Sequence, residues 1–179
     1  DDLGNIGYSA RAIEGYEHDF FRMLDMPATT RTPKIVCDYG YGSISSTLPQ
    51  MLGHLGVENI GINAYNDSKL APRSREEIAR HVSNLRHIVG TLNYDFGVLF
   101  SQEGERIIIV DEQGEVISHY KLLGMMSLLI ARSNPGAKIA LNVMAPDRLK
   151  ELLPAEKAQI LISRADSRSR LAVAAHEKV

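Results

Sequence analysis

Between two apolar runs stands Ser101-Gln102-Glu103-Gly104-Glu105-Arg106, with carboxylates on alternate residues around a glycine and a guanidinium at its end. Phe96 to Phe100 before it and Arg106 to Val110 read as strands. They are too close in sequence for a crossover helix, so they must run antiparallel with Ser101 to Glu105 as the turn. A turn that tight can aim Glu103 and Glu105 at one hard cation such as Mg²⁺. A solvated, charged hairpin tip is the other reading of the same spacing.

Other stretches carry less chemistry. Asp38-Tyr39-Gly40-Tyr41-Gly42-Ser43 lies between a strand and a helix, where main-chain N–H groups and the helix dipole can cradle a phosphate. A dinucleotide-binding turn wants a third glycine where Ser45 stands, and an aspartyl-phosphate enzyme wants a second aspartate where Gly40 stands, so a simple tight turn is the better reading. His81 and His87 fall on different faces of one helix, which removes a shared metal and makes both expected surface histidines. Met125-Met126 reads as core filling. Cys37, the one cysteine, sits in an apolar strand without a disulfide partner, which fits a reducing compartment and the cytoplasm.

The elements that position these residues follow from apolar spacing. Ile13, Tyr16, Phe20 and Leu24 recur at helical intervals after Ser9, a reasonable N-cap, so residues 10 to 24 form an expected amphipathic helix. Lys34 to Asp38 reads as a buried strand. Ser43 then caps a helix whose inward face is Ile44, Leu48, Met51, Leu52 and Leu55, stopped by Gly56. Asn59 to Asn63 is a short strand, and Ala64 to Arg73 a polar loop. Ser74 with Glu77 makes a capping box ahead of Ile78, Val82, Leu85 and Val89, with Gly90 closing that helix. After the hairpin, Asp111 to Gly114 turns into Glu115-Val116-Ile117, and a helix follows with Leu122, Leu123, Met126, Leu129 and Ile130 inward. Asn134-Pro135-Gly136 ends it.

A second copy of this pattern opens at Ala137-Lys138-Ile139-Ala140, about 100 residues after Pro33-Lys34-Ile35-Val36, roughly one small domain away. Lys138 to Val143 is a strand, Pro146 sits in the first turn of a helix carrying Leu149, Leu152 and Leu153, Gln159 to Ser163 is a strand and Ser167 to His176 a helix. The expected fold class is α/β: a three-layer α/β/α sandwich with a mixed sheet, mostly parallel with an antiparallel last strand, followed by a partial second α/β unit. The expected divisions are 1–33 as a linking helix, 34–118 as the sandwich, and 119–179 as the truncated second unit. The chain thus reads as a piece of a longer protein. Its second unit leaves a sheet edge unpaired and the Leu149, Leu152 and Leu153 face in need of cover, from the first unit or from a second copy in a homodimer.

Composition agrees. At 179 residues and 44% hydrophobic content the chain can bury a real core, and a net charge of −2 with pI near 6.3 gives no footprint for nucleic acid or an anionic membrane surface. Leu122 to Ala131, the longest apolar stretch, is too short to span a bilayer.

Lys34 to Ile117 resembles the second domain of the α-D-phosphohexomutases, the phosphomannomutase and phosphoglucomutase family. The residues that carry the resemblance are Lys34 to Asp38 with its Gly-rich turn, Leu48-Pro49 through Leu55-Gly56, Asp95-Phe96-Gly97-Val98, the loop ending in Arg106, and Val110-Asp111-Glu112-Gln113-Gly114-Glu115. The resemblance implies that the loop, D-G-D-x-D-R in the family, holds Mg²⁺ beside a phosphoserine of another domain. Ser101 replaces the first aspartate, Glu103 and Glu105 the others, and Arg106 matches as the phosphate-facing cation. Asn134-Pro135-Gly136-Ala137-Lys138 resembles the start of the family's third domain. Met144 and Asp166 stand where that domain carries a lysine and a histidine for the phosphosugar. The implied activity of the whole protein is intramolecular phosphoryl transfer on a hexose phosphate of mannose or glucose, with the remaining mutase domains as partners. This chain holds no serine matching the family's nucleophile and is expected to be inactive alone. The altered loop also resembles the mutase-like module fused to a nucleotidyltransferase domain in some mannose-1-phosphate guanylyltransferases, a noncatalytic alternative.

Overall fold

The computed structural model describes residues 11–24, 31–67, 69 and 72–177, which fall into two compact units, Asp1–Val116 and Ile117–Val179. In the first, α1 (Ala12–Met23) precedes β1 (Lys34–Asp38), α2 (Leu48–His54), β2 (Glu58–Ile62), α3 (Arg75–Leu92), β3 (Phe96–Phe100), β4 (Ile107–Asp111) and β5 (Val116–Ile117). The sheet order is β2-β1-β3-β4-β5. β1 is parallel to β2 and to β3, and β4 is antiparallel to β3, pairing Phe100 with Ile107 and Phe96 with Asp111. The fold is α/β with a mixed sheet flanked by helices, as the alternation of strands and helices requires.

Strand periodicity decides what each face of the sheet meets. Val36, Leu99 and Val110 point to one side and pack with Leu85 and Val89 of α3. Ile35, Cys37 and Tyr39 point to the other and pack with Ile44, Leu48 and Leu52. Burial pushes the Cys37 thiol up to about 11 and raises the Tyr39 phenol as well, so both are neutral near pH 7. The capping box forms: the Ser74 hydroxyl accepts from the Glu77 N–H, and the Glu77 carboxylate accepts from the Ser74 N–H and is held below its ordinary pKa by it.

Two boundaries differ from the sequence reading. Ser43 does not cap α2. Ser43–Ser46 is a 3₁₀ turn, and the helix restarts at Leu48 because Pro49, lacking an N–H, belongs in a first turn. Gly90 does not close α3, which runs to Leu92 and ends on Asn93 in the left-handed region, a conformation asparagine tolerates. The proposed cap Ser9 lies outside the described residues, and on α1 Ile13 and Tyr16 are exposed while Glu17 is buried. Helical spacing says which residues share a face, not whether anything covers it.

The second unit holds α4 (His119–Ser133), β6 (Lys138–Asn142), α5 (Asp147–Ala155), β7 (Gln159–Ser163) and α6 (Ser167–Glu177). β6 and β7 form a parallel pair. Its core is Ala131, Ile139, Leu141, Ala145, Leu149, Leu153 and Ala158. Of the expected inward face of α4, Leu123 packs against this core, whereas Met126, Leu129 and Ile130 are exposed, as is Met125, and the buried residues are Ser127 and Ala131. A Cβ on Gly124 would lie 3.4 Å from Leu149, so Gly124, Ser127 and Ala131 form a seam of small residues on one α4 face. Leu149 and Leu153 therefore find their cover inside their own unit, while Leu152 stays exposed. Pro146 is the residue before α5 rather than in its first turn. Among the described residues no helix is long and apolar enough to cross a membrane.

Gly97 on β3 tests how closely α3 sits. A Cβ there would come within 2.7 Å of Val89 Cγ2 and 2.8 Å of Leu85 Cδ1, both on fully buried residues that cannot give way. Gly97→Ala should destabilise the first unit by about 1–3 kcal/mol. Urea unfolding followed by circular dichroism checks this, and an unchanged midpoint would show that α3 has slack.

Candidate functional site

Because β1, β2 and β3 are parallel, Asp38, Ile62 and Phe100 end at one edge of the sheet, and β4 begins there. The turn after β1, the loop after β2 and the 101–106 loop therefore converge, at the edge where open α/β sheets bind their ligands.

Asp38 anchors the first of these. Alternation along β1 turns its side chain to the α3 side, where it is fully buried. Its Oδ1 accepts from the Gly40 N–H at 2.9 Å and from Asn63 Nδ2 at 3.0 Å, and its Oδ2 lies 2.7 Å from His81 Nδ1. A carboxylate only accepts, so the Nδ1 proton points at Asp38. Gly40 at φ 58°, Tyr41 at φ 60° and Asn63 at φ 51° all hold left-handed backbone around this group. His81 is thus no surface histidine: its side chain is only 18% exposed and packs edge-on to Tyr41. Its place was legible, since 81, 85 and 89 repeat every four residues on the face of α3 that carries Leu85 and Val89. His87 is exposed, as expected.

The glycines of the turn admit close neighbours. A Cβ on Gly42 would lie 2.4 Å from the Gln102 carbonyl oxygen, which accepts from the Ser43 N–H at 3.3 Å. A Cβ on Gly40 would lie 1.9 Å from Nη2 of Arg73, and that Nη2 donates to the Phe100 carbonyl at 2.8 Å. Arg73 was hidden in a loop that the sequence marks only as polar.

The 101–106 loop is closed by its own bonds. The Ser101 N–H donates to the Arg106 carbonyl at 2.9 Å, the Gly104 N–H to the Ser101 carbonyl at 2.9 Å, and the Arg106 N–H to Ser101 Oγ at 3.2 Å. Beside it opens a cleft of about 520 Å³ whose lining includes Arg73, Ser101, Glu103, Glu105 and Arg106. All four residues singled out in the sequence thus meet in one cleft, with Arg73 added. Glu103, Glu105 and Arg106 are exposed. Neither guanidinium in the cleft forms an ion pair among the described residues. Among the described residues no three His, Cys, Asp or Glu side chains converge, and the hydroxyl beside the two carboxylates is engaged by the Arg106 N–H.

In the second unit, Met144 is exposed, and Asp166 accepts from the Ser169 N–H at 2.7 Å at the start of α6, which holds its carboxyl below its ordinary value. Asp166 is a helix cap.

No protein-family model matches the chain. It is 27% identical over 131 residues to a phosphoglucomutase/phosphomannomutase of Thermococcus kodakarensis, covering 73% of this chain and 29% of that protein. It is 28% identical over 157 residues to a phosphoglucosamine mutase of Campylobacter jejuni, covering 85% of this chain and 35% of that protein. In fold it matches a crystal structure of a phosphoglucomutase/phosphomannomutase family protein from Burkholderia thailandensis, with a TM-score of 0.74 at 20% identity, over 93% of this chain and 36% of that one. The chain spans about a third of the length of these proteins.

The Asp38 hub gives a graded test. Asp38→Ala leaves three donors facing a void and should cost about 3 kcal/mol or more, whereas His81→Ala removes one donor and should cost roughly 1–2 kcal/mol. Equal midpoints for the two variants in urea would show that Asp38 is not the common acceptor.

Proposed function

Since the chain's relatives in sequence and its neighbours in fold are phosphoglucomutase/phosphomannomutase family proteins, we propose that it handles a hexose phosphate as one part of a phosphohexomutase-type protein. The observation that carries this reading is the cleft beside the 101–106 loop, where a guanidinium matching the family's Arg stands free of any carboxylate partner among the described residues. Arg106 takes the phosphate, since a planar fork of N–H donors suits its oxygens. Glu103, Glu105 and Ser101 shape the loop that presents it.

The chain alone is a binding part and not a complete enzyme. Covalent phosphoryl relay needs a nucleophile held in line with the substrate. Ser101 is the hydroxyl of the cleft and sits where a family aspartate would be, while the Cys37 thiol is buried and neutral.

Calorimetry with glucose 1-phosphate and mannose 1-phosphate should detect binding, and Arg106→Ala should weaken it about tenfold, the worth of one charge-assisted hydrogen bond. A coupled assay on the same chain with either sugar phosphate, bisphosphorylated activator and Mg²⁺ should show only background. Turnover that survives repurification and is lost in Arg106→Ala would mean the chain is a mutase in its own right.

Mg²⁺ should not be retained by residues 101 to 106 at millimolar concentration. Placing aspartate at 101, 103 and 105 together should raise the affinity, because shorter side chains and a third carboxylate rebuild an oxygen cage. Tight Mg²⁺ binding by the unaltered loop in a calorimeter would contradict this.

A further inference from the structure

Arg73 is unusual among the charged residues of the first unit. It is half-buried, it lines the cleft, and it has no ion-pair partner among the described residues. Its one hydrogen bond, Nη2 to the Phe100 carbonyl, uses one of five N–H donors. The fold also keeps a place for it: a Cβ on Gly40 would fall 1.9 Å from Nη2, 2.6 Å from Cζ and 2.9 Å from Nη1, so a side chain there would push the guanidinium away from its present place. A cation fixed at one corner, with its remaining donors uncommitted beside a second uncommitted guanidinium, is arranged to receive an anion.

We propose that Arg73 is a second anion-binding residue of this cleft, and that it and Arg106 together hold the phosphate of a phosphate monoester. The proposal rests on the hexose-phosphate reading above and names a residue outside the loop that reading uses. Glu103 and Glu105 line the same cleft, which disfavours a bare phosphate ion and suits an ester whose hydroxyl groups donate to carboxylates. Both carboxylates are exposed, so solvent screens them more than it screens half-buried Arg73. The backbone contact to Phe100 fixes the guanidinium at the end of β3, one residue before the loop begins.

The test is a titration of the ¹⁵N-labelled chain with glucose 1-phosphate and, separately, with inorganic phosphate. The Arg73 Nε–H signal, assigned by its loss in Arg73→Lys, should shift with added glucose 1-phosphate. Arg73→Gln should bind it about tenfold more weakly, and Arg73→Lys should recover part of the loss. An Arg73 signal that does not move, with Arg73→Gln binding like the wild type, overturns the proposal and leaves the hexose-phosphate reading intact. Inorganic phosphate binding as tightly as the ester, and equally dependent on Arg73, keeps the anion site and overturns the hexose-phosphate reading. No binding of either overturns both. Should Arg73→Gln fail to fold, the wild-type Nε–H shift and the Arg73→Lys affinity decide.

Discussion

A carboxylate sealed from water must be satisfied by whatever surrounds it, and at Asp38 that demand organises the carboxyl edge of the sheet. Three donors from three segments meet it: the Gly40 N–H, the Asn63 amide and the His81 imidazole. Each contact fixes something that apolar packing leaves loose. The first sets the turn after β1, the second holds the exit from β2, and the third ties both to α3. With the turn fixed, Gly42 can lie against Gln102 and Gly40 against Arg73, so the cleft inherits its walls from a group that never touches it. Losing any one donor is tolerable, because the others remain. Losing the acceptor is not, since it strands all three together.

Much of this was legible in the chain. Strands such as Phe96–Phe100 and Gln159–Ser163 were readable to the residue because apolar runs bounded by turn-formers have few other solutions, and loop length alone forced β3 and β4 to be antiparallel. Ser74 and Glu77 announced α3. What could not be read depended on partners distant in sequence. His81 reads as a surface residue until β1 supplies Asp38, and Arg73 reads as loop until Gly40 and Phe100 frame it. α4 misled for a different reason. Met126, Leu129 and Ile130 drew the eye, whereas the face that packs sets the small Gly124, Ser127 and Ala131 beside Leu123 and Leu128, and the small residues let another helix come near. The four candidate residues of the cleft were found from spacing and resemblance together, and the fifth, Arg73, carried no local signal.

The second unit shows how little is needed to close a small core. Two parallel strands and the helices around them bury Leu149 and Leu153 almost completely. Parallel pairs are ordinarily covered on both faces, and here α4 and α6 contribute that cover alongside α5. Of the leucine face that looked in need of an external partner, Leu149 and Leu153 are covered locally because Ala131 and Gly124 take up so little space.

The fit of Arg73 beneath Gly40 also couples two positions over the history of such a sequence. The left-handed backbone at 40 favours glycine, and a side chain there would also push the flexible end of Arg73 away from its present place. A lineage that lost the arginine would shed the steric half of that preference, and asparagine or aspartate, which tolerate left-handed backbone, could then settle at 40. Once one had, a returning arginine would have to place its guanidinium elsewhere. The effects of substitutions at 40 and 73 will therefore not add.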